Sequence, residues 1–257
     1  MQIHIIGSTS MVGKDLIRKS EENWNFLHYS RGLGNLSLDR NFMDFSHILD
    51  GDICIFLAAI SSPEVCEKNP EDSYSVNVTG TKTIIRELLK RKCKVAFFSS
   101  DMVYGEGGPF DESSQINPIG NYASMKAEVE GAFLNDGNFL TIRMSYVIGS
   151  DSFSRYISEC VDQGREVEVY SEIRRNCIDI DRVTNFLIRI MEEFPPFQRI
   201  NLAGNECIDR RKLAEQILEK LGEKVEISPA NPPEDYFDYR PRTIKLLNHR
   251  LREIEGA

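Results

Sequence analysis

The sequence predicts an α/β protein with a doubly wound, mostly parallel sheet, and three observations carry that prediction. Short apolar runs alternate with helix-spaced patterns from the first residue to about residue 149. The runs are short and mostly apolar, and the first reads as a buried strand. A Gly- and Ser-rich turn joins the first run to the first helix. Strands alternating with helices form right-handed βαβ units, which places the strands side by side in one sheet.

In order, residues 2–6 read as a buried strand, followed by a turn and a helix around 14–20. Residues 25–29 are a second strand, 36–38 a short third and 53–57 a β-branched fourth. A long helix over 75–90 carries Ile84, Ile85, Leu88 and Leu89 at helical spacing. Strand 94–99, a helix opening near Tyr122 and strand 139–144 follow. Past Gly149 the rhythm loosens: 150–175 is more polar, 178–191 looks helical and 199–202 could add a strand. Residues 208–221 form a helix stopped by Gly222, and 229–233 is a loop. The last thirty residues, rich in Arg, Pro and Tyr, suit a small lid interleaved with the first unit.

The chain has 257 residues with 31 Lys and Arg against 40 Asp and Glu, a net charge of -9. That balance argues against nucleic acid as a partner, which needs a positive surface. No apolar run approaches the ~20 residues that span a bilayer, and the first ten residues lack the pattern of a secretory signal. The six cysteines are scattered, as in a protein of a reducing cytoplasm, and the four isolated histidines assemble no metal site. The expectation is a cytoplasmic protein with neither membrane nor metal.

Gly7 to Gly13 occupies the first strand-to-helix turn, where backbone N–H groups and a helix N-terminus can hold a pyrophosphate. A purely structural turn is the plainer alternative. Ser10 stands where a middle glycine is expected, and would either crowd the pyrophosphate or donate to it. After the second strand come Ser30 and Arg31 rather than an acid. A guanidinium there suits a 2′-phosphate, so NADP(H) is expected over NAD(H), unless Arg31 is merely a solvated loop residue.

Ser99 and Ser100 end the fifth apolar run, and Tyr122-Ala123-Ser124-Met125-Lys126 follows on a helix. Residues i and i+4 share a face, so Tyr122 and Lys126 reach one cleft. A nearby ammonium lowers the pKa of a phenol toward the range useful for proton transfer, and Ser100 can hydrogen-bond a reacting oxygen. YxxxK alone is a frequent accident; its combination with the serine-bearing strand end and the glycine turn is not.

With these motifs the chain resembles the extended short-chain dehydrogenase/reductases acting on nucleoside-diphosphate sugars, nearest the dTDP-4-dehydrorhamnose reductase family, with the NAD-dependent epimerase/dehydratases next. Asp44-Phe45-Ser46, Leu57-Ala58-Ala59, Cys66-Glu67, residues 77–81, 99–105 and 143–149, and Arg240-Pro241-Arg242 extend the resemblance over essentially the whole chain. It implies that Gly7, Ser10, Met11 and Val12 line the pyrophosphate, Asp44 and Phe45 flank the adenine, and Ala58 and Ala59 back the nicotinamide half. It implies Ser100, Tyr122 and Lys126 as the catalytic set, with Asn77 supporting the site. The C-terminal part is shorter than usual for the family, where the substrate is selected.

An anionic substrate calls for arginines in the lid, and Arg174, Arg175, Arg240 and Arg242 are the candidates, surface charge being the alternative for each. Ser61 lies at the carboxyl edge of the sheet and Asp101 beside Ser100, both placed to touch a sugar. The expected division puts an NADP-binding Rossmann domain in 1–150 and 176–204, and a small substrate region in 151–175 and 205–257. Three functions follow from the resemblance: a reductase delivering hydride to the 4-keto group of a nucleotide sugar with Tyr122 as proton donor, an NAD-dependent epimerase, or a non-catalytic regulatory subunit. A homodimer through the helices at 75 and 122 is also expected.

Overall fold

All four residues of β1 (Ile3–Ile6) are buried, so this strand is covered on both faces. The computed structural model of the protein describes residues 1–149 and 152–256. After β1 come α1 (Met11–Ser20) and β2 (Phe26–Tyr29). A short antiparallel hairpin, β3 (Leu36–Ser37) with β4 (Phe42–Met43), precedes β5 (Ile53–Phe56). Helices α2 (Pro63–Lys68) and α3 (Pro70–Tyr74) lead through a π-type turn into α4 (Thr81–Lys90). Then follow β6 (Lys94–Ser100), β7 (Gly107–Phe110), α5 (Gly120–Phe133), β8 (Phe139–Met144) and β9 (Val147–Ile148). The second half comprises α6 (Ser152–Asp162), β10 (Val167–Val169), β11 (Arg174–Arg175), β12 (Ile178–Asp179), α7 (Ile180–Glu192) and β13 (Arg199–Leu202). It closes with β14 (Ile208–Asp209), α8 (Arg210–Leu221), β15 (Ile227–Pro229), β16 (Thr243–Leu246) and α9 (His249–Glu255).

The central sheet runs β13-β8-β6-β5-β1-β2, and every pairing is parallel. One face packs Ile3, Ile5 and Ile142 against Leu16, Phe186 and Leu251; the other packs Ile6, Phe56 and Phe97 against Ile85 and Leu88. Chain order reverses between β1 and β5, which opens a crevice at their carboxyl ends, the place where such sheets bind ligands. This is the doubly wound Rossmann-type α/β fold that the alternating pattern predicts.

Outside the central sheet, strands β14-β11-β16-β7 form one four-stranded sheet, whose Ile244 and Leu246 pack with Val103, Tyr104 and Ala203, and β10 pairs with β15 beside a core of Ile157, Cys160, Val169, Leu213 and Ile217. Three placements differ from the sequence reading. The 36–38 segment joins the hairpin, not the main sheet. The polar-looking stretch after 150 contains α6, whose Ile157 and Cys160 are fully buried. Helix α9 seats Leu251 and Ile254 in the core beside β13, so 249–255 packs with the large unit rather than with the small region assigned 205–257. The expected boundary at 150/151 and residue 257 lie outside the described residues. Among those residues no helix is long and apolar enough to cross a membrane.

Candidate active site

The turn after β1 is fixed from both sides. Gly7 and Ser8 donate their N–H groups to Tyr29 O on β2, at 2.8 and 3.2 Å, and Ala58 N donates to Ile6 O at 3.0 Å. Gly7 sits at φ +92°, and a Cβ on it would lie 2.6 Å from Ala58 N, so only glycine fits. Ser10 caps α1: its Oγ accepts from Gly13 N at 3.1 Å. The N–H groups of Met11 and Val12, in the first turn, have no partner within the helix. A close-packed glycine beside free helix-start amides fits a dinucleotide pyrophosphate.

Ser30 is buried and caps the single turn after β2, accepting from Leu33 N at 3.3 Å. Arg31 begins that turn and is exposed. A hydrogen bond from Ser37 holds Asp39 below the usual carboxylate range, and the Arg31 charge adds a smaller contribution. Asp44 is exposed and accepts from Ser46 N at 2.9 Å, while Phe45 lies under the Arg91 guanidinium at 5.3 Å. Ala58 and Ala59 are half-buried where β5 ends. Asn77 is buried and clamps the next residue, accepting from Ile60 N at 2.8 Å and donating to Ile60 O at 2.9 Å. It holds the loop rather than lining the cleft.

Helix α5 starts where it does because Glu67 on α2 accepts from Asn121 N (2.5 Å) and Asn121 Nδ2 (2.8 Å). Gly120 (φ +80°) admits the crossing of Tyr239, whose Cβ would lie 2.7 Å from a side chain there. Tyr122 and Lys126 then face β6, whose last residue is Ser100. Lys126 Nζ donates to Phe98 O at 2.8 Å and lies 4.7 Å from the Phe97 ring centroid and 6.0 Å from that of Tyr122. Ser100 Oγ accepts from Met102 N at 3.2 Å.

Electrostatics here run against the sequence expectation of an acidified phenol. Burial pushes Tyr122 up, Asp101 and Cys66 add to it, and the hydrogen bond with Ser100 opposes them. Burial also brings Lys126 down to about 8, with Glu130 pulling the other way. Desolvation of the charged form is the largest influence on each. Asp101 is buried too, and burial raises its carboxyl above the usual range; Arg175 opposes this, as does Ser145, which donates to Oδ2 at 2.8 Å. Behind Lys126, Arg143 and Glu130 form a buried ion pair at 2.6 Å.

A cleft of about 1150 Å³ lies between the carboxyl edge of the sheet and the lid. Of the residues singled out in the sequence it brings together Met11, Ser61, Ser100, Asp101, Tyr122, Arg175 and Arg240. The remaining cofactor candidates lie outside it, and Lys126 is behind Tyr122. Arg175 is braced: Nη1 donates to Arg174 O and Arg242 O, Nη2 to Pro241 O, and Nε is 3.8 Å from Asp101. Arg174 is exposed, and Arg242 stacks on Phe237 beside Glu172; neither reaches the cleft. Sequence reasoning passed over Ser145 and Tyr146, which it quoted only within a motif, and Arg210, for which no local signal existed. Glu67, outside the cleft, was likewise quoted without a role.

A family profile described as RmlD substrate binding domain matches residues 1–254. Methionine adenosyltransferase 2 subunit beta of Xenopus tropicalis is 27% identical over 148 residues, 51% of this chain and 42% of that one. The dTDP-4-dehydrorhamnose reductase of Aggregatibacter actinomycetemcomitans is 25% identical over 151 residues, 56% of this chain and 51% of that one. The chain thus spans about half the length of these curated relatives. The crystal structure of a hypothetical dTDP-4-dehydrorhamnose reductase from Sulfolobus tokodaii superposes with a TM-score of 0.83 at 25% identity, covering 99% of this chain and 94% of that one.

Proposed function

The chain belongs to the RmlD substrate binding domain family, and on that footing we propose that it is an NADP(H)-dependent reductase of the 4-keto group of a nucleoside-diphosphate sugar. The observation that carries this reading is the placing of Ser100 and Tyr122 on the floor of a large cleft, with Lys126 directly behind and the Gly7 turn at the end of β1, two strands away from β6. The amides of Met11 and Val12 would hold the pyrophosphate, Arg31 a 2′-phosphate, and Lys126 the nicotinamide ribose. NADPH bound there supplies the hydride.

The protein's own part is proton delivery and orientation. Ser100 Oγ can donate to the carbonyl oxygen and fix its direction toward Tyr122. The phenol, kept protonated by burial, gives its proton to that oxygen as negative charge grows on it. Ketone, hydride and proton together make the alcohol, and the phenolate left behind recovers a proton from solvent. The Lys126 ammonium steadies that phenolate across the shared helix face. A buried, protonated phenol is prepared to donate to an oxygen on which negative charge is growing.

Consumption of NADPH should be followed by absorbance with a panel of 4-keto nucleotide sugars. Tyr122→Phe should bind NADPH as the wild type does and lose about 10²–10⁴-fold in kcat; a near-normal rate removes Tyr122 from the role. Tightly held NAD with no net consumption would establish epimerisation instead. Failure to bind any dinucleotide would favour a subunit role.

A further inference from the structure

We propose that Arg210 is a phosphate-binding residue of this cleft, its guanidinium taking an oxygen of the substrate's diphosphate; this rests on the nucleotide-sugar reading above. Arg210 is the first residue of α8, capped by Asp209, and its side chain lines the cleft. The guanidinium carbon lies 4.0 Å from the Tyr146 ring centroid and 4.7 Å from that of Phe153. Two aromatic rings hold the plane of the group and spare it the loss of order on binding. Its Nη1 is buried and finds no hydrogen-bond partner among the described residues. A buried cationic N–H left unpaired is costly, and an anion arriving in the cleft would relieve that cost.

The neighbouring arginines sharpen the choice of ligand. Arg175 has three of its donors on backbone carbonyls and its Nε toward Asp101, so it works as a brace between β11 and the Pro241-Arg242 segment. Arg240, on the same cleft, is stacked on Tyr236 and Tyr239 at 4.3 and 4.4 Å, and its Nη1 is likewise buried without a partner. The buried carboxylate of the cleft, Asp101, is already engaged by Ser145 and Arg175. Two flat, pre-set guanidinium groups on one cleft, each with an N–H unpaired among the described residues, suit a ligand that carries more than one anionic oxygen. In a chain of net charge -9 this local excess of positive charge is the exception.

Isothermal titration of the wild type, Arg210→Met and Arg210→Lys with uridine, UMP and UDP, and with the thymidine series, tests it; NADPH is titrated into each. Arg210→Met keeps an unbranched apolar side chain against the rings. It should weaken UDP or dTDP by about 10- to 100-fold, leave the free nucleoside unchanged, and leave NADPH unchanged. Arg210→Lys, a point charge without the planar fork, should fall between. Equal diphosphate affinity in wild type and variant would overturn the assignment while leaving the nucleotide-sugar reading intact. A loss that is the same for nucleoside and diphosphate, or that extends to NADPH, would mean that Arg210 merely holds the lid together, and would also overturn it. A wild type that binds NADPH but no nucleoside diphosphate would overturn the underlying reading.

Discussion

Replacing Lys126 by methionine should make the protein more stable at neutral pH while abolishing turnover. Lys126 is 5% exposed, and burial brings it from 10.5 down to about 8. At about 1.4 kcal/mol per pH unit, that gap corresponds to about 3 kcal/mol of unfavourable burial at pH 7. Nζ recovers part of this through its bond to Phe98 O, a charge-assisted contact contributing about 1–2 kcal/mol. The net gain for Lys126→Met is therefore about 1–2 kcal/mol, since the thioether fills most of the same volume. Below pH 8 both folded and unfolded chains carry the ammonium, and the whole burial cost is present. Between about 8 and 10.5 the unfolded chain keeps a proton the folded chain has released, so wild-type stability rises with pH relative to the variant. Above that range the difference disappears. Urea unfolding of both proteins at pH 7 and pH 10, read as the difference between them, measures it. A variant less stable than wild type at pH 7, or a gap that does not change with pH, would refute the reasoning.

Three further outcomes follow. Arg31→Ala should raise the KM for NADPH by about 10- to 100-fold and that for NADH little, since a single guanidinium reads the 2′-phosphate; equal changes would remove Arg31 from cofactor choice. Gly7→Ala forces a Cβ to within 2.6 Å of Ala58 N at φ +92°, and should cost about 3 kcal/mol or more in unfolding experiments together with NADPH binding; wild-type stability would show that the turn can shift. Arg143→Met strands Glu130, which is 3% exposed, and should destabilise by about 3–5 kcal/mol, whereas the Arg143→Met/Glu130→Leu double variant recovers most of it. Additive losses in that cycle would mean the pair is not coupled.

Strands β1, β5, β6 and β8 were legible because burial on both faces leaves an apolar run, which needs no knowledge of neighbours. The lid strands were not, because β11 and β14 are two residues each and exist only through pairing with chain far away in sequence. Helix α6 carries Phe153, Tyr156, Ile157 and Cys160 at helical spacing, yet the serines and acids between them disguised it. Within the site, Ser100, Tyr122 and Lys126 stand in short motifs and could be read directly. The side-chain oxygens of Ser10 and Ser30 both cap the next turn, a use that serine at a strand end offers locally and that the cofactor reading of these turns did not consider. Glu67 and Arg210 act only through approaches between distant elements, Glu67 on the start of α5 and Arg210 over two rings, and nothing near them in sequence announces it.

The protonation pattern was also beyond the sequence, and it bears on how a proton is held in the cleft. Two residues at i and i+4 invite the inference that ammonium and phenolate stabilise each other. That holds only where the pair keeps enough solvent for both charges to survive. Tyr122 and Lys126 are 9% and 5% exposed, and Asp101 beside them is 4% exposed. Burial therefore favours the neutral form of all three, raising the phenol and the carboxyl and lowering the amine. A site in that condition gives up a proton only when negative charge develops beside it, as it does on a carbonyl oxygen receiving hydride. Under the proposed reduction, the dry floor of the cleft thus keeps the proton donor loaded until hydride arrives.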